Sequence, residues 1–174
     1  MHAQDEAEMV ACIPCLRRYA RGLTADRERA DDLVQDTLER AWSRFSMWQR
    51  RGELRAWLFG ILHHQFIDRL RAQRSRPEDS AGDDLPELPQ RAMQSDGLEL
   101  RDLDRSLQRL PPEQREVLLL VAVEQLSYQE IATALGIPIG TVMSRLSRGR
   151  TRLRDELRGG AAGGMPAPLI QRVK

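Results

Sequence analysis

Residues 127–158 read SYQEIATALGIPIGTVMSRLSRGRTRLRDELR, and the rest of the chain is understood from this stretch. Ser127 with Glu130 three positions on is the pairing of a capping box, so a short helix is expected to begin there. Ile131, Ala134 and Leu135 give that helix one apolar face. Gly136 ends it, because glycine takes the left-handed conformation of a helix C-terminus without steric cost. Pro138 forbids simple continuation, and Gly140-Thr141 opens a second helix. Val142, Leu146, Leu153 and Leu157 recur at helical spacing within it and are expected to face inward. Arg145, Arg148, Arg150, Arg152, Arg154 and Arg158 stand against only Asp155 and Glu156. Two short helices about a glycine turn, the second of them basic, form a helix-turn-helix pattern whose second helix fits the DNA major groove. The plain alternative is an arginine-rich solvated helix in an ordinary bundle. Turn chemistry and the capping box together favour DNA.

Outward from this stretch, 174 residues give room for one domain of common size or two small ones, and 41% hydrophobic content suffices for packed cores. The net charge of +1 hides a segregation of sign: arginines gather near the ends of two helical blocks and acids gather between them. No apolar run approaches the roughly 20 residues that span a bilayer. The opening MHAQDEAEM is acidic and lacks the apolar core of a signal peptide, so a cytoplasmic protein without membrane insertion is expected.

The first helix is expected from about Met9 to Arg21, with Pro14 bending it or displacing its start. Cys12 and Cys15, the only cysteines, are spaced CxxC. A structural zinc site usually needs four ligands, and no second CxxC or HxxxH is present. Met9, Cys12, Ile13, Leu16, Tyr19 and Leu23 share helical spacing, which reads Cys12 as core. A metal or redox role for the pair is the minor alternative. His63 and His64 are adjacent and point about 100° apart on a helix, a poor ligand pair. No metal or cofactor is expected.

Asp26 is a plausible N-cap for a second helix in which Ala30, Leu33, Val34, Thr37, Leu38, Ala41, Trp42 and Phe45 match an amphipathic template. Its outer face carries Asp31, Asp32, Gln35, Asp36 and Glu39, which is either a solvated face or a docking surface for a basic partner. Residues 46–52, SMWQRRG, break the pattern and place Met47 and Trp48 among Arg44, Arg50 and Arg51. Aromatics beside arginines are what grips single-stranded nucleic acid, by stacking and phosphate contact. A tryptophan folded back on the core reads equally well. A third helix follows from Glu53 to about Arg74, apolar at Leu54, Trp57, Leu58, Ile61, Leu62, Phe66 and Leu70 and basic at its end through Arg69, Arg71, Arg74 and Arg76.

Residues 77–90, PEDSAGDDLPELPQ, hold three prolines, five acids and no base, too little apolar surface to order themselves. They mark a domain boundary. Beyond it Leu100, Leu103, Leu107 and Leu110 pattern a helix. LPPEQ restarts the chain with a proline suited to a first turn, and Val117, Leu118, Leu120 and Val121 build the support of the helix-turn-helix. The tail GGAAGGMPAPLIQRVK is glycine-rich. The expectation is an all-α chain of two small helical domains joined by a flexible acidic linker: 1–76, linker 77–97, 98–158 and tail 159–174. No glycine-rich phosphate loop or nucleophile–base arrangement suggests an enzyme.

Three segments, ADDLVQDTLERAW (30–42), LRAWLFGILHHQFIDRLR (54–71), and LPPEQREVLLL with the helix-turn-helix behind it, resemble in this order a bacterial sigma factor of the extracytoplasmic-function group. The resemblance covers about residues 9–158. It implies a sigma region 2-like first domain and a region 4-like second one. Asp31, Asp32, Leu33, Gln35 and Asp36 would grip the clamp helices of the largest subunit of core RNA polymerase. Trp48, Arg50, Arg51, Trp57, His64 and Arg69 would open and hold the −10 element. The acidic linker would thread the polymerase cleft. The second domain would sit on the flap of the second-largest subunit and read the −35 element through Thr141, Ser144, Arg145, Ser147, Arg148 and Thr151. Control by an anti-sigma factor is a further implication. His64 stands where many of that family carry asparagine, and Met143 where a basic residue is common. The rival reading is a stand-alone helix-turn-helix regulator, which usually dimerises to read two half-sites.

Overall fold

The computed structural model describes residues 3–48, 53–75 and 96–160. Among these residues every regular element is helical. The helices are α1 (Ala3–Thr24), α2 (Arg27–Arg44), α3 (Leu54–Arg74), α4 (Asp96–Gln108), α5 (Pro112–Ala122), α6 (Tyr128–Leu135) and α7 (Ile139–Gly160), with a 3₁₀ turn at Phe45–Met47.

In the first half, α1 is longer at both ends than its apolar pattern suggests, and Pro14 lies inside it instead of setting its start. The proline is exposed, so the ring needs no room in the core, although the turn around it lacks one amide donor. Asp26 caps α2 by accepting from the Arg29 amide at 2.8 Å. Leu33, Val34 and Ala41 of α2 pack with Leu16, Tyr19 and Leu23 of α1 and Leu58, Phe59 and Leu62 of α3. Tyr19 meets Phe59 edge-to-face, with ring centres 5.1 Å apart. Between α2 and α3 the buried polar groups satisfy each other. The Thr37 hydroxyl lies 3.1 Å from Gln65 Oε1, and Gln65 Nε2 donates to the Asp36 carbonyl at 2.9 Å. Trp42 departs from the expected apolar face: it is 57% exposed, because the helix turns it past the edge of the three-helix core.

In the second half, α5 is the central support, with Val117 and Leu120 fully buried. The approach of α7 is close. A Cβ on Gly149 would stand 2.9 Å from Leu118 Cδ1 and 3.3 Å from the Gln114 carbonyl oxygen. Val142 and Leu146 face this core as expected, but Leu157 is 40% exposed. By its last turns α7 has run beyond α5, and an apolar residue at the right spacing is only partly covered.

The two halves pack on each other. Helix α3 lies against α6, and α1 against α5 and α4, so that one apolar cluster runs from Met9 to Leu146. At the tightest point Gly60 of α3 meets the backbone of α6: a Cβ there would be 2.8 Å from the Ala134 carbonyl oxygen. Residues 76–95, most of the expected linker, and residues 161–174 of the tail lie outside the described residues.

Candidate nucleic-acid interface

The helix-turn-helix is built as its residue types require. Ser127 Oγ accepts from the Glu130 amide at 3.2 Å, and the Ser127 amide donates to Glu130 Oε2 at 2.7 Å. These bonds to Ser127 hold the Glu130 carboxyl below its usual value. Gly136 closes α6 at φ 65°, in the left-handed region. With the turn fixed, α7 leaves Ser147, Arg148 and Thr151 exposed and Thr141, Ser144 and Arg145 half-buried at its flanks. The polar groups of that face are satisfied on their own helix. Arg148 donates to the Ser144 carbonyl at 3.3 Å and to Ser144 Oγ at 3.2 Å, and Thr151 Oγ1 donates to the Ser147 carbonyl at 3.1 Å. Arg150, Arg152, Arg154 and Arg158 are exposed along the same helix. Met143 is 48% exposed, an apolar spot on an otherwise cationic helix.

The residues expected at the −10 element fall into two groups. Trp48 and Trp57 stack at 5.8 Å between ring centres and 28° between planes, and Phe45 leans on both. Trp48 therefore folds back onto an aromatic cluster while keeping part of its surface open. With His64, Arg40 and Arg44 it lines a groove of about 800 Å³ whose opposite wall is α6, at Gln129, Glu130 and Thr133. Arg69 is not in that groove: it pairs with Asp36 of α2 and so joins a residue of the expected DNA set to one of the expected docking set. Arg50 and Arg51 lie outside the described residues.

On α2, Asp32, Gln35 and Asp36 are exposed and Asp31 half-buried. Leu33 corrects the expected docking set, because it is fully buried among α1 and α3 and has no surface to offer. Two positions before Gln35 in a helix, it faces the core and not the partner. Among the described residues, no group of three or more His, Cys, Asp and Glu side chains is placed to hold a metal ion. No described helix is long and apolar enough to cross a membrane.

The seam between the halves carries charges that pattern reading passed over. Glu124, with its side chain fully buried, is held by two arginines of the first half. Arg18 makes a two-pronged bond, Nε and Nη2 each 2.9 Å from a carboxylate oxygen. Arg55 Nη2 donates to Glu124 Oε2 at 2.7 Å and to the Glu124 carbonyl at 2.8 Å. Beside them His63 Nδ1 lies 2.6 Å from Oε1 of Glu116, whose side chain is also fully buried. One signal was available in the sequence: Glu124 follows LLLVAV, so an acid ends an apolar run where a solvated one has no business.

A capped helix-turn-helix with an arginine-lined second helix, carried beside an acidic-faced three-helix unit, defines an all-α DNA-binding protein of the transcription machinery. Residues 9–63 match the family model described as the sigma2 domain of PhyR, and residues 100–153 the model for sigma-70, region 4. The chain is 38% identical to the ECF RNA polymerase sigma factor EcfG of Rhodopseudomonas palustris, over 84% of this chain and 81% of that protein. It is 36% identical to SigE of Mycolicibacterium smegmatis, over 80% of this chain and 56% of that protein. Among solved structures it is similar to the sigma factor RpoE of Bartonella quintana, captured with the anti-sigma factor NepR. There the TM-score is 0.76 at 35% identity, covering 88% of this chain and 96% of that one. The chain belongs to the ECF RNA polymerase sigma factors.

Proposed function

We propose that this chain binds core RNA polymerase through the acidic face of α2 and directs initiation by reading −35 with α7 and −10 with the Trp48–Trp57–His64 face. The observation that carries this reading is α7 itself. A rigid, capped turn holds a cationic face clear of the core, with short Ser and Thr side chains that let a helix sit deep in a major groove. On this reading the protein has no catalysis of its own and works in the cytoplasm, beside polymerase and promoter. Arg40, Arg44 and the stacked tryptophans supply the cations and ring faces that single-stranded DNA takes. The sigma factor RpoE was captured with an anti-sigma factor, and CnrH, 28% identical at TM-score 0.62, with the cytosolic domain of CnrY. A protein inhibitor of that kind is the expected regulatory partner here.

The packed arrangement is a resting form. The two elements lie about 25 base pairs apart, or roughly 85 Å at 3.4 Å per pair. In the structure α6 stands across the groove from Trp48 and Trp57, so both elements cannot be engaged while the halves are closed. Residues 76–95 can extend by roughly 70 Å at most, enough for the halves to part. Purified chain added to core polymerase should give promoter-selective transcripts, and Asp32→Arg should abolish core capture without changing thermal stability by more than about 0.5 kcal/mol. Unchanged capture would remove α2 from the mechanism. DNA binding by a dimer without polymerase would favour the stand-alone regulator instead.

A further inference from the structure

Two arginines of the first half converge on one carboxylate of the second. Arg18 of α1 forks around it, Nε to Oε1 and Nη2 to Oε2 of Glu124, each at 2.9 Å. Arg55, in the first turn of α3, reaches Oε2 at 2.7 Å and the Glu124 carbonyl at 2.8 Å. Both arginines sit on helices that pack together within the first half, so the cluster survives when the halves part. We propose that Arg18 and Arg55 form a phosphate site for promoter DNA, which Glu124 fills as a stand-in while the chain is closed.

The ligand class follows from the groups. A carboxylate and a phosphodiester each offer a guanidinium fork two oxygens that share one negative charge. Arg55 is oriented by its own helix as well as by Glu124. Its guanidinium lies 5.6 Å from the centre of the Phe59 ring, one turn on. Phe59 in turn is fixed edge-to-face on Tyr19 of α1, and the Cys15 thiol of α1 lies beside Arg55. The cations are thus in place before any DNA arrives, and both keep part of their surface open. A seam by itself needs no such cluster. A buried ion pair loses most of its attraction to desolvation, and an apolar contact would hold the halves as well. Two guanidiniums on one carboxylate also leave a net positive charge. The arrangement suits an exchange of one anion for another.

The site lies beside the face expected to melt DNA. Trp57, two residues after Arg55, lines the groove opposite α6. A phosphate at Arg18 and Arg55 therefore stands about one helix width, roughly 10 Å, from the bases held there. Glu124 and a phosphate cannot occupy the same fork, so closing the halves and holding DNA on this edge exclude each other. By linkage, DNA that takes the arginines favours the open form. Whatever opens the halves, core polymerase included, raises affinity for DNA by the same factor.

The exchange rests on the closed resting form proposed above, and the test separates the two. Holoenzyme is titrated with a fluorescein-labelled duplex carrying a central bubble, at several salt concentrations, after equal core capture is established for each variant. Arg18→Gln combined with Arg55→Gln should bind about tenfold more weakly at low salt. Its salt slope should fall by about one. Arg18→Lys with Arg55→Lys keeps the charge but not the fork, so the slope should stay while affinity falls. Glu124→Ala should match the parent, because in holoenzyme the carboxylate has already left. In the free full-length chain Glu124→Ala should expand in small-angle scattering and bind the bubble more tightly than the parent. Its slope there should be steeper by about one. Adding both glutamine substitutions should leave it expanded and remove that gain. Parent affinity and slope in the glutamine holoenzyme would overturn the phosphate site, even if the same variant loses capture by an acidic protein partner. If the chain captures no core, the free-chain comparison decides alone, and no gain with Glu124→Ala overturns the site. A Glu124→Ala chain as compact as the parent would remove the closed resting form, while a lowered slope in the glutamine holoenzyme would still support the phosphate contact.

Discussion

Two glycines of the helix-turn-helix do opposite work, and substitution should show it. Gly136 has φ 65° and nothing within 4 Å of where a Cβ would stand, so its cost on mutation is purely conformational. Gly136→Ala should destabilise by about 1–2 kcal/mol, the penalty of a left-handed L-residue. Gly140 also has open space but is helical, and Gly140→Ala should stabilise by up to about 1 kcal/mol. Thermal unfolding of the two variants gives the comparison, and equal signs would refute it. Arg148 is a different case, since it folds back on Ser144 in the free chain and must exchange those bonds for DNA. If it reads a guanine edge, Arg148→Ala should cost about 1–3 kcal/mol and relax choice at one −35 position. If it holds a phosphate, the loss should be uniform over sequences and the salt slope should fall by about one. Holoenzyme binding at several salt concentrations distinguishes these, and no change in either would exclude Arg148 from the interface.

At the scale of the element, α3 serves two masters. Its Trp57 and His64 line the groove expected to take the −10 strand, while Gly60 between them is pressed to the backbone of α6. A carbonyl oxygen at 2.8 Å cannot rotate aside as a side chain would, so Gly60→Val should drive α6 off α3. The expected readout is a larger radius of gyration with α3 helicity retained by circular dichroism. A variant as compact as the parent would mean that α3 and α6 are not in intimate contact in solution. The helix was legible from its apolar spacing at Leu54, Leu58, Ile61, Leu62 and Phe66. Its partner was not, because nothing in a glycine announces which backbone will approach it.

For the whole molecule the decisive group is Glu124. Hydrogen bonds to charged groups contribute about 1.5–3 kcal/mol each. Arg18 and Arg55 are 55% and 37% exposed, so on release they would be rehydrated, and the net hold falls to roughly 1–2 kcal/mol. That magnitude suits a latch, firm enough to close the halves and weak enough for polymerase to open. Trypsin should cut first between Arg76 and Gly97, at Arg91, where the composition offers too little apolar surface to bury. The nicked halves of the parent should still co-elute, since they share one core, whereas those of Glu124→Ala should separate. Parent halves that part on nicking would show that the seam does not hold in solution.

What the sequence by itself determined are the features that depend on neighbours a few residues away. The capping box, the left-handed Gly136, the Asp26 cap and the amphipathic faces of α2 and α7 all come from contacts within one or two turns, and spacing encodes those. Its errors lie where a helix outruns its support, as at Trp42 and Leu157; at Leu33 the spacing read a core residue, as found, and only the family resemblance set it on the docking face. What only the tertiary structure decided is the seam: Glu124 between Arg18 and Arg55, Glu116 against His63, Gly60 on Ala134, and the cysteine pair beside Arg55. The partners of the two carboxylates stand 53 to 106 positions from them. No local pattern pairs residues at that distance, because what brings them together is the meeting of two apolar surfaces from opposite halves of the chain.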